Sequence, residues 1–405
     1  MKKNIEIEDT NFFAKKYLKI KNKKIKNKNF LNILNSIKLN KNTESDVFCS
    51  LNNKFKLNFK IKDIVKFKKF KTVVIIGMGG SILGSQAIYC FLKKKIKKNF
   101  IFLNNINEVE LNKLKKKNLI KILFIVISKS GNTIETLSNI SVLKIIKKNS
   151  KNIIIISEKS NNPLYLLSKK FNLFHIEHRN YIGGRYSVLS EVGLLPAYLM
   201  GVNIFDLRKK LLSHLNSKNI KIFKKSVFKL TTLYQDNKLK NIIFFNYVPE
   251  LNKFLYWSQQ LIAESLGKKG KGFLPIISPA PKDHHSLLQL YLDGPRDKIF
   301  YIFSSNIETN NKIKPYVLEN KFNFLKYKSL NKIKAAQKNA FLKTLKTKGI
   351  QFREFKIKSI TEEVLGELFS YFILETVAVG KMSNTDPFNQ PAVEQVKHNT
   401  KKLLL

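Results

Sequence analysis

The sequence predicts an α/β fold with two halves, each a mainly parallel sheet flanked by helices. The main observation is a repeated order of apolar strand, polar turn and helix, which is typical of βαβ units. This order recurs in two stretches, residues 61–205 and 206–385, and a Lys-rich helical connector opens the second. The chain has 405 residues, of which 43% are hydrophobic, and this is enough for two or three packed domains.

The first stretch follows an N-terminal segment, residues 1–60, that is rich in Lys and Asn and predicts short helices packed on a larger body. Continuous apolar runs predict buried parallel strands over 72–76, 122–127 and 153–156. Gly/Ser turns follow the first two runs and lead into predicted helices over 82–92 and 133–146. These elements make 61–205 the first α/β domain.

The second α/β domain, residues 206–385, repeats the pattern after a predicted helical connector over 204–239. Strands are predicted over 242–247, 298–303 and 352–357, and helices over 251–266, 334–345 and 361–379. Thr361 is a suitable N-cap because two glutamates follow it in the first turn. Residues 386–405 are predicted to form a Pro-containing turn and a terminal helix that completes the site.

The net charge of +47 raises the question of nucleic-acid binding. Basic residues are spread along most of the chain, and only five of the 75 are Arg, the residue whose planar fork suits phosphate and guanine edges. A compositional bias toward Lys, Asn, Ile and Phe accounts for the charge more simply. The sequence therefore predicts no nucleic-acid partner.

Cysteine content and hydropathy argue against a disulfide-rich, zinc-binding, secreted or membrane-spanning protein. Cys49 and Cys90 form no CxxC motif and are too few for a disulfide framework, so neither a zinc site nor an oxidising compartment is indicated. No apolar stretch follows the basic start of the chain as in a signal peptide, and the longest apolar runs are too short to span a bilayer. We expect a soluble, cytoplasmic protein with no membrane partner.

Two polar loops follow predicted strands, at the sheet edge where open α/β folds bind ligands. The loop 77–81, GMGGS, lacks both the G-x-G-x-x-G spacing and the P-loop Lys, which disfavours a nucleotide, and alone it is equally consistent with a tight turn. The loop 128–133, SKSGNT, surrounds a helix start with hydroxyls and one ammonium, groups that bind phosphate without a metal. The candidate phosphate ligands are Gly80, Ser81, Ser128, Lys129, Ser130 and Thr133.

Four further motifs narrow the prediction: GGRYSVLS at 183–190, QQLIAESLGK at 259–268, DHHSLLQ at 283–289 and QPAVEQVK at 390–397. Together with SKSGNTIET at 128–136, and in this order, they resemble the glucose-6-phosphate isomerase (phosphoglucose isomerase) family, which has the sugar isomerase fold. The resemblance implies two sugar-isomerase-type subdomains, a homodimer, no metal and no cofactor. It also implies reversible conversion of glucose 6-phosphate to fructose 6-phosphate through a cis-enediol, in glycolysis and gluconeogenesis.

The resemblance assigns roles to residues of the GGRYSVLS and QQLIAESLGK motifs. Glu264 matches the base that moves a proton between C1 and C2, a task for a carboxylate within reach of the carbon acid. Arg185 matches the cation that stabilises the enediolate. Gln260 precedes Glu264 by one helical turn, so both are expected on one face of the helix and near the substrate. The alternative for Glu264 is a solvated helix residue.

The remaining roles concern ring opening. His285 matches the ring-opening histidine, which the family takes from the partner subunit; the adjacent His284 stands where relatives usually carry Gln, so the choice between the two stays open. Neighbouring histidines point apart, which disfavours a metal. Lys397 matches a lysine that assists ring opening, and Gln390 a residue on the phosphate side. Glu135 resembles a carboxylate that orients the histidine, with a helix-dipole residue as the alternative.

Three other functions remain open on the sequence alone. One is another phosphosugar isomerase, such as an enzyme that also accepts mannose 6-phosphate. The second is a phosphosugar-binding regulator without catalysis, which would need a DNA-binding module that residues 1–60 do not clearly provide. The third and weakest is a nucleic-acid binder.

Overall fold

The computed structural model describes residues 5–6, 12, 23–41, 46–217, 219–305, 307, 311–314 and 320–405. Ten strands lie within these ranges: β1 Ile5–Glu6, β2 Thr72–Gly77, β3 Asn99–Leu103, β4 Ile122–Ile127, β5 Ile153–Ser157, β6 Phe174–Glu177, β7 Asn241–Asn246, β8 Leu274–Pro279, β9 Lys298–Ser305 and β10 Phe352–Ile357.

The strands form two five-stranded sheets. The first has the order β3-β2-β4-β5-β6 and is parallel throughout. The second has the order β1-β10-β9-β7-β8 and is parallel except for β1, which pairs antiparallel with β10. The predicted α/β fold with two mainly parallel sheets is therefore confirmed, including all six predicted strands.

Helices flank both sheets within the described part of the chain. They are α1 Lys23–Asn40, α2 Ile61–Ile64, α3 Leu83–Phe91, α4 Glu108–Lys115, α5 Ile134–Leu143, α6 Pro163–Lys170, α7 Glu191–Met200, α8 Ile204–Arg208, α9 Ile220–Asp236, α10 Asn252–Leu266, α11 Leu288–Asp293, α12 Leu330–Thr347, α13 Glu362–Met382 and α14 Pro391–Leu403.

The N-terminal segment agrees with its prediction in part. Helix α1 packs on the body through Phe30, whose ring lies 5.6 Å from that of Phe228 and 6.3 Å from that of Phe223. The helical prediction is wrong for Ile5–Glu6, because these residues extend the free edge of β10 as strand β1. The rest of this prediction, over residues 1–4, 7–11, 13–22 and 42–45, lies outside the described residues.

Two differences from the prediction concern the connector and the edge strands. The connector over 204–239 is helical as predicted, and the structure divides it: α8 ends at Arg208, and α9 begins at Ile220 after a short 3-10 turn. Strands β3, β6 and β8 were not predicted, and each lies at the edge of its sheet. Strand β8 has the sequence LPIISP, and prolines weaken a strand pattern because they cannot donate to the ladder.

The register of the first sheet places the two phosphate-type loops side by side. Gly77, the last residue of β2, pairs with Ile127, the last residue of β4. Because parallel strands end at the same edge, the loops that follow leave the sheet at neighbouring positions. Helix α3 follows the first loop and packs against α10, which comes from the second half of the chain. The α3–α10 contact therefore connects the two sheets beside this edge.

Candidate active site

Arg185 lies in a 3-10 helix, Gly184–Leu189, and its side chain is only 3% exposed. Five hydrogen bonds hold the guanidinium, to Ser265 Oγ (2.9 Å), Glu264 Oε2 (3.1 Å), Gln390 Oε1 (2.6 Å) and the carbonyl oxygens of Pro387 (2.7 Å) and Asn389 (3.1 Å). Three segments that are far apart in sequence thus meet on one cation. Because a buried charge needs such partners, Arg185 has a single well-defined position.

Glu264 lies in the last turn of α10, and its carboxylate is 29% exposed. Gln260 Nε2 donates to Glu264 Oε1 at 2.9 Å, while Arg185 donates to Oε2. The expected common face of the two helix positions is confirmed by this contact. Gln260 Oε1 is buried and has no hydrogen-bond partner among the described residues, which leaves one acceptor available to a ligand. The Glu264 carboxylate is therefore held at both oxygens and remains partly accessible to solvent.

Gly80 brings the first loop into direct backbone contact with the Arg185 segment. A Cβ built on Gly80 would lie 2.2 Å from the carbonyl carbon of Gly184 and 2.5 Å from the backbone nitrogen of Arg185. No side chain fits in that space, so the two loops touch through glycine alone. Ser81, the next residue, is buried beside this contact. The loop after β2 and the guanidinium are thus placed next to each other by the backbone.

The second loop, residues 128–133, is folded around its own hydroxyls. The hydroxyls of Ser128 and Thr133 lie 2.8 Å apart, and Ser130 Oγ donates to Asn132 Oδ1 at 2.6 Å. Gly131 has φ +65°, and a Cβ there would lie 1.7 Å from Asn162 Oδ1, so the turn requires glycine. Thr133 is the N-cap of α5 but forms no side-chain cap bond. The first N–H groups of α5 therefore have no cap from that residue and can meet an anion.

Lys129 points toward the neighbouring loop. Its Nζ donates to the carbonyl oxygen of Asn180 at 2.6 Å and lies 3.7 Å from Glu158 Oε1. Burial lowers the pKa of this ammonium, and the Glu158 carboxylate opposes that shift. The Lys129 ammonium thus connects the 128–133 loop to the segments that contain Glu158 and Asn180.

The two histidines of DHHSLLQ have different surroundings. His284 is half-buried, its Nε2 lies 2.6 Å from Tyr247 Oη, and its ring packs on Phe245 and Phe341. His285 is exposed, at the end of the short turn Lys282–His284 that follows β8. The structure therefore places His284 half-buried against aromatic side chains of its own chain and His285 on the outside.

The C-terminal candidates are brought to the site unequally. Gln390 lies at the start of α14 and accepts from Arg185, so it touches the cation of the site. Lys397 lies one to two turns later on an exposed face, and its ammonium pairs with Glu394 at 2.8 Å.

Glu135 lies half-buried in the first turn of α5 and has neither an ion pair nor a hydrogen bond within the described ranges.

Within the residues that the structure describes, no group of three or more His, Cys, Asp or Glu side chains could hold a metal ion. The search for long apolar helices over the same residues finds none able to cross a bilayer.

Comparison with known proteins identifies the family. The family model of phosphoglucose isomerase matches residues 59–404. The chain is 32% identical over 342 residues to the glucose-6-phosphate isomerase of Methanocaldococcus jannaschii, covering 81% of this chain and 83% of the relative. It is 30% identical over 359 residues to that of Campylobacter jejuni, covering 82% and 85%.

The chain belongs to the phosphoglucose isomerase family. Solved structures show the same fold: a hypothetical protein from Thermus thermophilus superposes with TM-score 0.78 at 21% identity, covering 94% of this chain and 96% of that one. A glucose-6-phosphate isomerase from Chlamydia trachomatis superposes with TM-score 0.72 at 17% identity, covering 85% and 71%. The family resemblance drawn from the five motifs is thereby confirmed.

For this member of the phosphoglucose isomerase family, three neighbours of the site were not predicted. Tyr186 Oη lies 2.8 Å from Ser265 Oγ and donates to the Pro387 carbonyl, which fixes two of the groups that surround Arg185. Lys268 Nζ donates to the carbonyl oxygens of Glu264 (2.8 Å) and Ser265 (2.7 Å), at the end of α10. Burial and the Arg185 charge lower its pKa to about 8. Tyr186, Ser265 and Lys268 all lie inside the GGRYS and ESLGK motifs, and these motifs are the feature of the sequence that could have indicated them.

Proposed function

We propose that this protein is a glucose-6-phosphate isomerase that interconverts glucose 6-phosphate and fructose 6-phosphate through a cis-enediol. The observation that carries the proposal is the 3.1 Å contact between the Arg185 guanidinium and the Glu264 carboxylate, in a chain of this family. A carboxylate that is 29% exposed and a permanent cation in contact with it supply the two kinds of group that an aldose–ketose shift requires. The enzyme would act in glycolysis and gluconeogenesis, in the cytoplasm.

The proton shuttle is assigned to Glu264. Its carboxylate takes the proton from C2 of the open-chain aldose and returns it to C1. A second proton passes from the C2 hydroxyl to the C1 oxygen, so the aldehyde becomes an alcohol and the C2 alcohol becomes a ketone. No electron leaves the sugar, so the reaction balances without a redox cofactor or a metal. The ion pair with Arg185, at 3.1 Å, holds the Glu264 carboxylate beside the guanidinium.

Arg185 is assigned to the enediolate. Negative charge develops on the C1 and C2 oxygens as the proton leaves, and a fixed guanidinium stabilises that charge without reorganising. Its five hydrogen bonds orient the planar fork for this task. Gln260 supplies a buried oxygen without a partner in the described chain, which suits a sugar hydroxyl.

The phosphate is assigned to the adjacent loops after β2 and β4. Backbone N–H groups near Gly80 and at the start of α5 offer donors of the kind that hold anions, and the hydroxyls of the second loop add neutral donors. The proposed ligands are Gly80, Ser81, Ser128, Lys129, Ser130 and Thr133, with Gln260 and Gln390 toward the sugar.

Ring opening is assigned to His285 across a homodimer. The exposed position of His285, and the enclosure of His284 by Tyr247 and Phe341, support the choice of His285. The partner subunit's His285 would protonate the ring oxygen, with Lys397 assisting and Glu135 orienting the imidazole. An imidazole suits this step because it exchanges protons near pH 7.

The proposal is tested by a coupled assay in which the purified protein converts fructose 6-phosphate and the glucose 6-phosphate formed is oxidised. We expect turnover with no metal added and no nucleotide other than the NADP⁺ that the coupling dehydrogenase reduces, and unchanged turnover after chelation. The same assay with mannose 6-phosphate as substrate distinguishes a specific glucose-6-phosphate isomerase from an isomerase that accepts both sugars, because only the latter would turn this substrate over. Phosphosugar binding without turnover would contradict the proposal and favour the regulator, while binding of duplex DNA alone would favour the nucleic-acid alternative.

A further inference from the structure

A groove of about 580 Å³ lies at the end of the α3–α10 pair that is far from the proposed active site. Helix α3 begins beside the Gly79–Ser81 turn and ends at Phe91, and the groove is lined by the end of α3. Helix α10 carries Gln260 and Glu264 in its second half, whereas Lys253, in its first turn, lines the groove. No residue of the proposed catalytic machinery borders it.

One wall of the groove is aromatic. The rings of Tyr89 and Phe102 lie 5.5 Å apart between centroids, and Phe91 and Pro249 continue the apolar surface. The volume falls within the range of small-molecule pockets, which are mostly apolar with a few placed polar groups. A flat or ring-shaped apolar body would therefore cover this wall.

Gln86 supplies a placed polar group. The residue is 6% exposed, it lines the groove, and its Oε1 is buried with no hydrogen-bond partner within the described ranges. A buried acceptor without a partner is unfavourable, and a ligand hydroxyl or N–H that reached it would remove that penalty. This amide distinguishes the groove from a merely apolar depression.

The rim of the groove carries a net positive charge. Lys93, Lys94 and Lys253 line it together with a single carboxylate, Glu250. Lys93 Nζ donates to Tyr89 Oη at 2.7 Å, so one ammonium is held against the aromatic wall. Lys253 lies at the start of α10, and its backbone N–H faces the sulfur of Cys90 in α3. The N–H groups of this helix start add further positive potential. An anionic group is the complement of this rim.

We propose that the groove binds a small organic anion: a ring-shaped apolar body, a hydroxyl or N–H that donates to Gln86, and a carboxylate, sulfonate or phosphate at the lysines. The site is separate from the sugar phosphate site and independent of the proposed isomerase function.

The probe for the test is 8-anilinonaphthalene-1-sulfonate, which has all three groups. We expect it to bind the folded protein and to slow the reaction of Cys90 with an aromatic disulfide reagent. Cys90 is partly exposed and Cys49 is buried, so the fast-reacting thiol reports on this groove. A Cys90 thiol that the probe leaves unprotected would overturn the proposal. So would a Cys90 that becomes unreactive as protein concentration rises, since a second copy would then cover the face.

Variants locate the site. Gln86→Leu and the double change Lys93→Ala with Lys253→Ala should each weaken probe binding about tenfold, while Lys113→Ala, an exposed lysine on α4, should leave binding unchanged. All three proteins should keep the isomerase turnover of the parent, because none of these residues borders the proposed active site. Equal probe affinity in Gln86→Leu and the parent would also overturn the proposal.

Discussion

The two halves of the proposed site differ in how this chain holds them. Around Arg185, hydrogen bonds from residues 264–265 and 387–390 enclose the guanidinium, and its side chain is 3% exposed. His285 and Lys397, by contrast, are exposed, and the side-chain contact of Lys397 is to its own helix neighbour Glu394. The groups proposed for the carbon-acid chemistry are thus positioned within one chain. The groups proposed for ring opening are presented outward, as a partner subunit would require.

Under the proposed roles, one chain would supply both proton-transfer groups, Arg185 and Glu264, whereas ring opening would also need the His285 of a second copy. Loss of a residue in the enclosed half should therefore affect every form of the substrate. Loss of a residue in the exposed half should affect closed-ring substrate and depend on subunit pairing.

The largest effect is expected for Glu264→Gln in the enclosed half. The amide keeps the shape of the side chain and one of its two acceptor contacts but cannot accept the C2 proton, so turnover should fall about 10³-fold or more. Fluorescence or calorimetric titration with a sugar-phosphate inhibitor should show near-normal binding. Glu108→Gln, a change at an exposed glutamate on α4, is the control. Parent-like turnover in Glu264→Gln would refute the assignment.

Arg185→Lys should be nearly as severe. An ammonium cannot replace the planar fork that makes five hydrogen bonds, so we expect kcat to fall about 10²–10³-fold. The melting temperature should fall as well, because the acceptors at residues 387–390 lose their donor. Arg296→Lys, at an exposed arginine, should change neither quantity. A variant with lower stability but unaltered kcat would limit Arg185 to a structural role.

His285→Ala tests the exposed half. We expect about a 10²-fold loss on closed-ring substrate and a smaller loss on open-chain substrate, measured by rapid kinetics from each form. His284→Gln should retain activity, because Gln can still contact Tyr247. Equal losses on both forms would count against a role in ring opening.

Mixed dimers sharpen the same comparison. In a symmetric dimer, equal mixing of Glu264→Gln and His285→Ala subunits should restore about a quarter of parent activity, because half the dimers are hybrids with one intact site. If His285 acted within its own chain, mixing would restore nothing.

Gly80→Ala tests the backbone contact that joins the first loop to Arg185. Its Cβ would lie 2.2 Å from Gly184, so we expect a loss of about 3 kcal/mol in the free energy of unfolding and weaker substrate binding. Gly184→Ala is the matched control, since its Cβ would lie 3.9 Å from Gly80 Cα, an ordinary contact. Denaturant titration of both variants measures the difference. Equal stability of the two would show that the loops separate freely.

The smallest effect concerns acid stability of the enclosed interior. Burial lowers the pKa of His214, which packs on Tyr371 beside Glu367, to about 4. Between pH 6.5 and 4 the unfolded chain binds the proton more readily, so the stability present above pH 6.5 is lost as pH falls. His214→Asn should reduce the loss between pH 7 and 5 by about 2 kcal/mol, measured by denaturant titration at each pH. An unchanged pH dependence would contradict the buried neutral imidazole.

Central and edge strands show what the sequence could predict about the fold. The six strands recognised from apolar runs, such as β4 with ILFIVI, are internal to their sheets, where both faces are covered. The four that were missed lie at edges, where one side is less covered and residues such as the prolines of β8 are tolerated. Continuous apolarity therefore reports burial rather than strand formation.

The candidate site also has a part that the sequence predicts and a part that only the tertiary structure shows. Motif residues such as Arg185 and Glu264 were identified because their neighbours in sequence are distinctive, and the structure brings these two together. The contacts of Arg185 with the carbonyl oxygens of Pro387 and Asn389 could not be predicted, since they depend on backbone positions about 200 residues away and involve no particular side chain. Family motifs indicate which groups react, and tertiary structure decides what holds them.

The closure of Arg185 by the C-terminal turn has a consequence for the newly made chain. Arg185 and Gln390 are separated by 205 residues, so at ribosomal rates of roughly 5–20 residues per second the guanidinium is synthesised about 10–40 s before its last acceptors. Both sheets, whose strands end by Ile357, can assemble during that interval. The set of acceptors around Arg185 is thus completed at the end of biogenesis, and a chain stalled in its last tenth would have the strands of both sheets but would lack the 387–390 turn that encloses the guanidinium.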